Sequence, residues 1–257
     1  MKEFFGFCEG EFPYGKPAEG FLSWQHILLV SLFVIAAVTL AIILGKIYKN
    51  KDYNSKNKVL IWTAIIIDSF EIVKIIIGSI QIPNFWRMSL PLFLCSIQLI
   101  AIPLAALCKG RLKEAALDFV FIFGLLGGVL GSVGAAQNFN KYPVFTWPNI
   151  VSTTTHTISA FASLYVGISG MVSMKKKNIY FTYGIMLGFS ILAYIANILL
   201  DYNYMFLMFH DYTPYMYFYN LVNGNPILYP LVVVGLFILY ISVFYFIYLK
   251  IKNRKQL

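Results

Sequence analysis

The chain has 257 residues, of which 59% are hydrophobic and only 12% are charged. This composition excludes an ordinary soluble domain and predicts one integral membrane domain over residues 1–257. The net charge of +9 does not indicate nucleic-acid binding, because the basic residues fall in short loops between apolar stretches, where they face anionic lipid.

Seven apolar stretches follow one another along the chain, and each approaches the ~20 residues that a helix needs to cross the hydrocarbon core. They cover residues 24–46, 59–80, 89–108, 115–136, 150–174, 179–200 and 229–249. The sequence therefore predicts an all-α, polytopic membrane protein built as a seven-helix bundle.

The basic residues indicate how this bundle is oriented. Most of the 20 Lys and Arg residues lie after the first, third and fifth stretches and in the C-terminal tail. By the positive-inside rule, the N-terminus is outside and the C-terminus is cytoplasmic. The abundance of Ile, Phe, Tyr, Asn and Lys is typical of AT-rich bacterial genomes, so we expect a multi-pass protein of a bacterial plasma membrane.

The second stretch carries three ionisable residues, Asp68, Glu71 and Lys74. At about 100° per residue they occupy a single arc of a helix, so all three can face the bundle interior. Inserting each of these side chains into the bilayer costs ~2.5–3.5 kcal/mol, so their presence indicates a structural or functional role. An ion pair that fixes the helix, a proton or ion pathway, and a carboxylate that orients a catalytic base all remain open.

The third and fifth stretches each carry one reactive side chain, Cys95 and His156. Each residue lies about six positions past the outer start of its predicted helix, which places both ~9 Å below the outer surface. Glu71 and Lys74 reach a similar depth. A thiol, an imidazole and a carboxylate at one depth match a nucleophile, its base and an orienting group, although a lone membrane cysteine is also an ordinary packing residue.

The fourth stretch is rich in glycine, and the sixth is followed by an aromatic loop. Gly124, Gly127, Gly128, Gly131 and Gly134 form a stripe of the kind that lets helix backbones approach closely. The connection 201–228 contains many Tyr and Phe residues, which favour the headgroup level of a bilayer. We expect this loop to lie over the outer end of the bundle, as an anchor or as a lid over a lipid site.

Several short motifs resemble the YwaF family of bacterial integral membrane proteins, in order along nearly the whole chain. The motifs are the run Leu90-Pro91-Leu92-Phe93-Leu94-Cys95-Ser96-Ile97, His156, Asn197, the run Asn203-Tyr204-Met205-Phe206-Leu207, Pro214, Asn225-Pro226 and Tyr229. The family in turn resembles a eukaryotic transmembrane acyltransferase of ether phospholipids, in which a cysteine and a histidine carry the reaction.

The resemblance implies that Cys95 is a nucleophile and His156 its base, in a lipid acyltransferase or acyl-ester hydrolase acting in the outer half of the membrane. Membrane lipids would be the substrates, with no cofactor and no metal. From depth alone, Glu71, Asn197 and Asn203 are candidates to orient the imidazole or to stabilise an oxyanion. Further candidates for substrate binding are Asp68, Lys74, Gln98 and Tyr204.

Two other classes of function stay open at this stage. A transporter of small solutes or ions would depend on Asp68, Glu71 and Lys74, whereas a membrane interaction protein would need none of the candidate residues for chemistry. The position of Cys95 relative to His156 separates these readings, because proton transfer requires direct or one-water reach.

Overall fold

The computed structural model describes residues 2–6, 17–133, 136–210 and 213–254. Throughout these ranges the regular structure is helical, which confirms the predicted all-α architecture. The α-helices are α1 (Lys2–Phe5), α2 (Trp24–Tyr48), α3 (Tyr53–Gln81), α4 (Phe85–Met88), α5 (Gln98–Leu107), α6 (Gly110–Val133), α7 (Ala136–Lys141), α8 (Trp147–Ile168), α9 (Ile179–Leu200), α10 (Met216–Leu221) and α11 (Leu228–Arg254). Two short 3₁₀ helices, Lys176–Asn178 and Tyr204–Phe206, lie in the connections.

Four helical segments are long and apolar enough to cross a membrane: Trp24–Tyr48, Gly110–Lys141, Lys176–Leu200 and Leu228–Arg254. Their outward faces present large aliphatic side chains, as lipid contact requires. Two further helices, α3 with 29 residues and α8 with 22, have spanning length but carry more polar side chains. The chain is a polytopic helical membrane protein, and its seven passes remain a prediction.

The third predicted span, 89–108, is helical only in its second half. α5 has 10 residues, and residues 90–97 form successive turns instead. Pro91 lacks an N–H and disfavours the helical conformation of the residue before it. The Ser96 hydroxyl then accepts from Phe93 N–H (3.1 Å) and donates to the Phe93 carbonyl oxygen (3.2 Å), which satisfies this backbone locally. Cys95 therefore lies just before a helix rather than inside one.

The fifth predicted span also ends earlier than its apolar length indicated, at Ile168 rather than residue 174. Gly170 adopts a left-handed conformation (φ 74°). Its N–H donates to the Gly167 carbonyl oxygen (3.3 Å), and Met171 N–H donates to that of Val166 (3.0 Å). This pair of bonds is a Schellman cap, which closes the helix.

The glycine stripe places α6 at the centre of the bundle, packed against α5, α8 and α9. A Cβ at Gly124 would lie 2.7 Å from the Ser159 carbonyl oxygen, and one at Gly128 would lie 2.5 Å from Ala160 Cβ. These separations are too short for a side chain, so the predicted close helix approach is confirmed for these two glycines. Gly134 lies outside the described residues.

At the end of the bundle predicted to be cytoplasmic, the buried Asp118 carboxylate joins three elements. It accepts from Ser173 N–H (3.1 Å), Met174 N–H (2.9 Å) and the Tyr245 hydroxyl (2.8 Å). The Asn178 amide also donates to it (3.3 Å). The carboxylate thereby ties α6 to the connection before α9 and to α11.

At the opposite end, the segment before α2 is fastened to α7 and to the connection that follows α7. The Glu19 carboxylate accepts from Val144 N–H (2.8 Å), and the Asn140 side-chain oxygen accepts from Phe21 N–H (2.8 Å). These bonds hold the chain across the end of the bundle where the candidate site opens.

Candidate functional site

A cavity of about 370 Å³ lies between α3, α8 and the turns before α5. Its lining brings together four of the residues that the sequence singled out: Glu71, Lys74, Cys95 and His156. These four side chains thus share one cavity, and their roles in a functional site remain a prediction.

Cys95 is positioned by the turns that replace the first half of the third span. Ile97 N–H donates to the Phe93 carbonyl oxygen (2.9 Å), so the chain folds back around the thiol-bearing residue. α5 begins three residues later, at Gln98.

His156 is held on α8 against the glycine stripe of α6. Its ring packs directly over Gly131, where an added Cβ would overlap the imidazole. Within the described parts of the chain the imidazole forms no hydrogen bond, and the Nδ1 side of its ring lies against Gly131. Gly127, on the same helix, lies against the backbone of Cys95, 3.5 Å from an added Cβ to Cys95 Cα. One helix of small residues thus borders both reactive groups.

Glu71 and Lys74 form an ion pair one turn apart on α3, with side chains 10% and 22% exposed. Pairing lowers the cost of holding two charges at this depth. Both side chains line the cavity that also contains Cys95 and His156. The pair therefore places an ammonium and a carboxylate in the same site as the two reactive side chains.

The other five predicted residues do not line this cavity: Asp68, Gln98, Tyr204, Asn197 and Asn203. The Gln98 amide is fully buried and has no hydrogen-bond partner in the described ranges. Tyr204 is also fully buried; its hydroxyl donates to the Arg87 carbonyl oxygen and its ring packs on Phe93, with centroids 5.1 Å apart. Tyr204 anchors the aromatic loop to the bundle.

The amides of Asn197 and Asn203 hold the loop backbone. Asn197 Nδ2 donates to the Tyr204 carbonyl oxygen (3.0 Å), and Tyr204 N–H donates to Asn197 Oδ1 (2.6 Å). Asn203 Nδ2 donates to the Phe209 carbonyl oxygen (2.9 Å) while its Oδ1 accepts from Met208 N–H (3.0 Å). Both residues line a second, adjoining cavity instead of the one that contains Cys95.

Sequence reasoning missed the polar residues that α7 and α8 add to the Cys95 cavity. Gln137 and Asn138 come from α7, and Asn138 Nδ2 donates to Ser152 Oγ (3.1 Å). Ser152 and Thr155 precede His156 on α8. Their helical spacing from His156 was a readable signal of one polar face, whereas nothing in the sequence indicated that α7 contributes to the lining of this cavity.

Comparison with known proteins gives one match. The model of the TMEM164 family matches residues 21–251. No curated protein and no solved structure matches the chain. Because the match spans most of the 257 residues, and because it includes every helix from α2 onward that surrounds the Cys95 cavity, this chain belongs to the TMEM164 family.

Proposed function

We propose that this chain transfers or hydrolyses acyl chains of membrane lipids, with Cys95 as nucleophile and His156 as general base. The observation that carries the proposal is that the thiol and the imidazole line the same cavity, beside the Glu71–Lys74 ion pair. The likeness of the Cys95 and His156 motifs to those of a lipid acyltransferase supplies the chemistry.

The reaction proceeds in two steps. His156 accepts the Sγ proton, the thiolate attacks the carbonyl carbon of a lipid ester, and the imidazolium returns the proton to the departing alkoxide as the C–O bond breaks. A lipid hydroxyl or water then gives its proton to His156 and attacks the acyl thioester. This attack forms a tetrahedral intermediate. When the intermediate collapses, the C–S bond breaks, and the Cys95 thiolate takes back the proton from the His156 imidazolium.

Lys74 is the residue best suited to stabilise the tetrahedral oxyanion in each step. Its side chain lines the same cavity as Cys95 and His156, and a preorganised positive charge in a site of low dielectric constant stabilises developing negative charge strongly. Glu71 holds this ammonium in place. The amides of Asn197 and Asn203 are not assigned this role, because their hydrogen-bonding groups are engaged by the loop.

The test is mass spectrometry of the purified full-length protein after incubation with diacyl phospholipid vesicles. An acyl adduct on Cys95 that neutral hydroxylamine removes is the expected result. Cys108→Ala is the matched control, since Cys108 is the other free cysteine in the described ranges and lies outside the cavity. Cys95→Ala should abolish the adduct, and His156→Gln should slow its formation at least about 100-fold.

Two results would reject the proposal. One is an adduct that forms equally on the Cys95→Ala variant, which would place the reactive group elsewhere. The other is solute or ion flux that Glu71→Gln eliminates while Cys95→Ala leaves it unchanged, which would favour a transporter built on the ion pair.

A further inference from the structure

A second cavity, of about 670 Å³, lies where α9 ends and the aromatic loop begins. It adjoins the Cys95 cavity, and the two share Phe93, Gln137 and Tyr202 in their linings. Its volume is within the range of small-molecule sites. None of the chemistry at Cys95 requires this second chamber.

Four aromatic rings line the second cavity: Phe93, Tyr202, Phe209 and Tyr219. Phe93 and Tyr202 pack edge to face, with centroids 6.0 Å apart and an interplanar angle of 78°. The faces of such rings carry negative charge density and attract organic cations, quaternary ammonium groups in particular. The density of aromatic side chains around one space therefore indicates a class of ligand.

A carboxylate completes the lining. Asp201 is the residue that follows α9, in a left-handed conformation (φ 51°), and within the described ranges its side chain has no ion-pair or hydrogen-bond partner. A negative charge at the C-terminal end of a helix is unfavourable, because the helix dipole already places negative charge there. The helix end and the carboxylate together favour a positive charge in the cavity.

No positively charged side chain opposes these groups in the described lining, which contains no Lys, Arg or His. Asn197 and Asn203, the lining amides, are engaged by the loop backbone. His210 packs edge-on against Tyr219, with centroids 5.1 Å apart, but does not belong to the lining.

We propose that this second cavity binds an alkylammonium cation, held by the aromatic rings and by the Asp201 carboxylate. The cation belongs either to the headgroup of a membrane lipid or to a free amine, and both sources present the same chemistry to the site. The proposal does not depend on acyl transfer at Cys95.

Calorimetric titration of the purified full-length protein in an uncharged detergent tests the proposal. Choline should bind saturably, whereas 3,3-dimethyl-1-butanol, which has the same shape without the charge, should bind at least about tenfold more weakly. Asp201→Asn should weaken choline binding by about tenfold or more while preserving the left-handed turn, which Asn tolerates. Cys95→Ala should bind choline as the unmodified protein does.

Phe209 tests the role of the rings, because its side chain is 46% exposed and its replacement disturbs the core little. Phe209→Leu should weaken choline binding several-fold, and Phe209→Tyr should retain it. Equal binding of choline and its neutral analogue, or unchanged binding by Asp201→Asn, would overturn the proposal.

Short-chain lipids distinguish the two sources of the cation. Dihexanoyl phosphatidylcholine is compared with dihexanoyl phosphatidylglycerol, which has the same chains and phosphate but no amine. A preference for the choline lipid over both its partner and free choline assigns the site to a headgroup, and tighter binding of free choline assigns it to a soluble amine. Binding of neither compound at an Asp201-dependent site rejects the proposal, whatever the result of acylation at Cys95.

Discussion

The imidazole of His156 occupies space that exists only because residue 131 of the neighbouring helix has no side chain. The ring therefore packs on bare backbone of α6, and its orientation depends on that surface. A Cβ at Gly127, one turn earlier, would meet the backbone and Cβ of Cys95 at ordinary contact distances of 3.5–4.0 Å. Gly131 thus leaves room for the His156 ring, whereas Gly127 has room for a small side chain, although both glycines belong to the same stripe.

Gly131→Ala should displace the imidazole and reduce the rate of Cys95 acylation by about tenfold or more, since a shift of ~1 Å in a catalytic group can cost ~100-fold. Gly127→Ala is the matched control and should retain activity. Ala is favoured over Gly in a helix by up to about 1 kcal/mol, so intrinsic helix propensity does not explain a loss specific to Gly131→Ala. The acylation rates and unfolding temperatures of both variants check this. Equal rates would show that the ring is not held by Gly131.

Asp201 illustrates a residue whose placement costs stability and serves binding. Asp201→Asn should stabilise the ligand-free protein by about 0.3–1 kcal/mol at low ionic strength, because it removes a negative charge from the C-terminal end of α9. Denaturant unfolding in mixed micelles measures the difference, which should shrink in high salt. A loss of stability would instead reveal a favourable native partner of the carboxylate.

At the scale of elements, the apolar pattern predicted most helix positions well but failed where turn chemistry decides the structure. The mean hydropathy of residues 89–108 carries no information about backbone hydrogen bonds. It therefore could not predict that Pro91 and Ser96 prevent a helix over the first half of this stretch. For the candidate site, a depth count along each helix predicted one level for Glu71, Lys74, Cys95 and His156, which line one cavity, because depth depends only on helical rise. It could not assign Asn197, since depth carries no information about which backbone groups an amide binds.

The sequence analysis also did not single out the buried hydrogen-bond network of Asp118. In the sequence, Asp118 is one acidic residue near the start of an apolar stretch, and nothing distinguishes it from an exposed charge at a helix end. Asp118→Ala should lower the free energy of unfolding by about 3–5 kcal/mol, since it leaves several buried donors without an acceptor. Glu114→Ala is the control: its ion pair with Lys175 has side chains 33% and 47% exposed, and the Asn178 amide that it also binds keeps Asp118 as an acceptor, so it should cost under about 1 kcal/mol. Reversible unfolding in mixed micelles measures both. Equal small losses would show that the network adds no stability.

At the scale of the whole molecule, both cavities lie at one end and the Asp118 network at the other. The lysine-rich connections accompany the Asp118 end, which the positive-inside rule assigns to the cytoplasm. In that predicted orientation the Cys95 and Asp201 cavities face the outer leaflet. The prediction requires the two more polar helices, α3 and α8, to cross the membrane.

Cysteine labelling tests this arrangement directly. In a background with Cys8, Cys95 and Cys108 replaced by Ala, single cysteines are introduced at the positions Lys51, Trp86, Lys176 and Tyr217. Each of these residues is exposed. A membrane-impermeant maleimide should label the cysteines at positions 86 and 217 in intact cells, and those at positions 51 and 176 only after the membrane is opened.

If positions 51 and 86 are labelled from opposite sides, α3 crosses the bilayer although it carries three ionisable residues. The Glu71–Lys74 ion pair and the shared helix face of these residues lower the free-energy cost of burying them. Labelling of both from the same side would mean that α3 does not span, and the Cys95 cavity would then not lie beneath the outer surface.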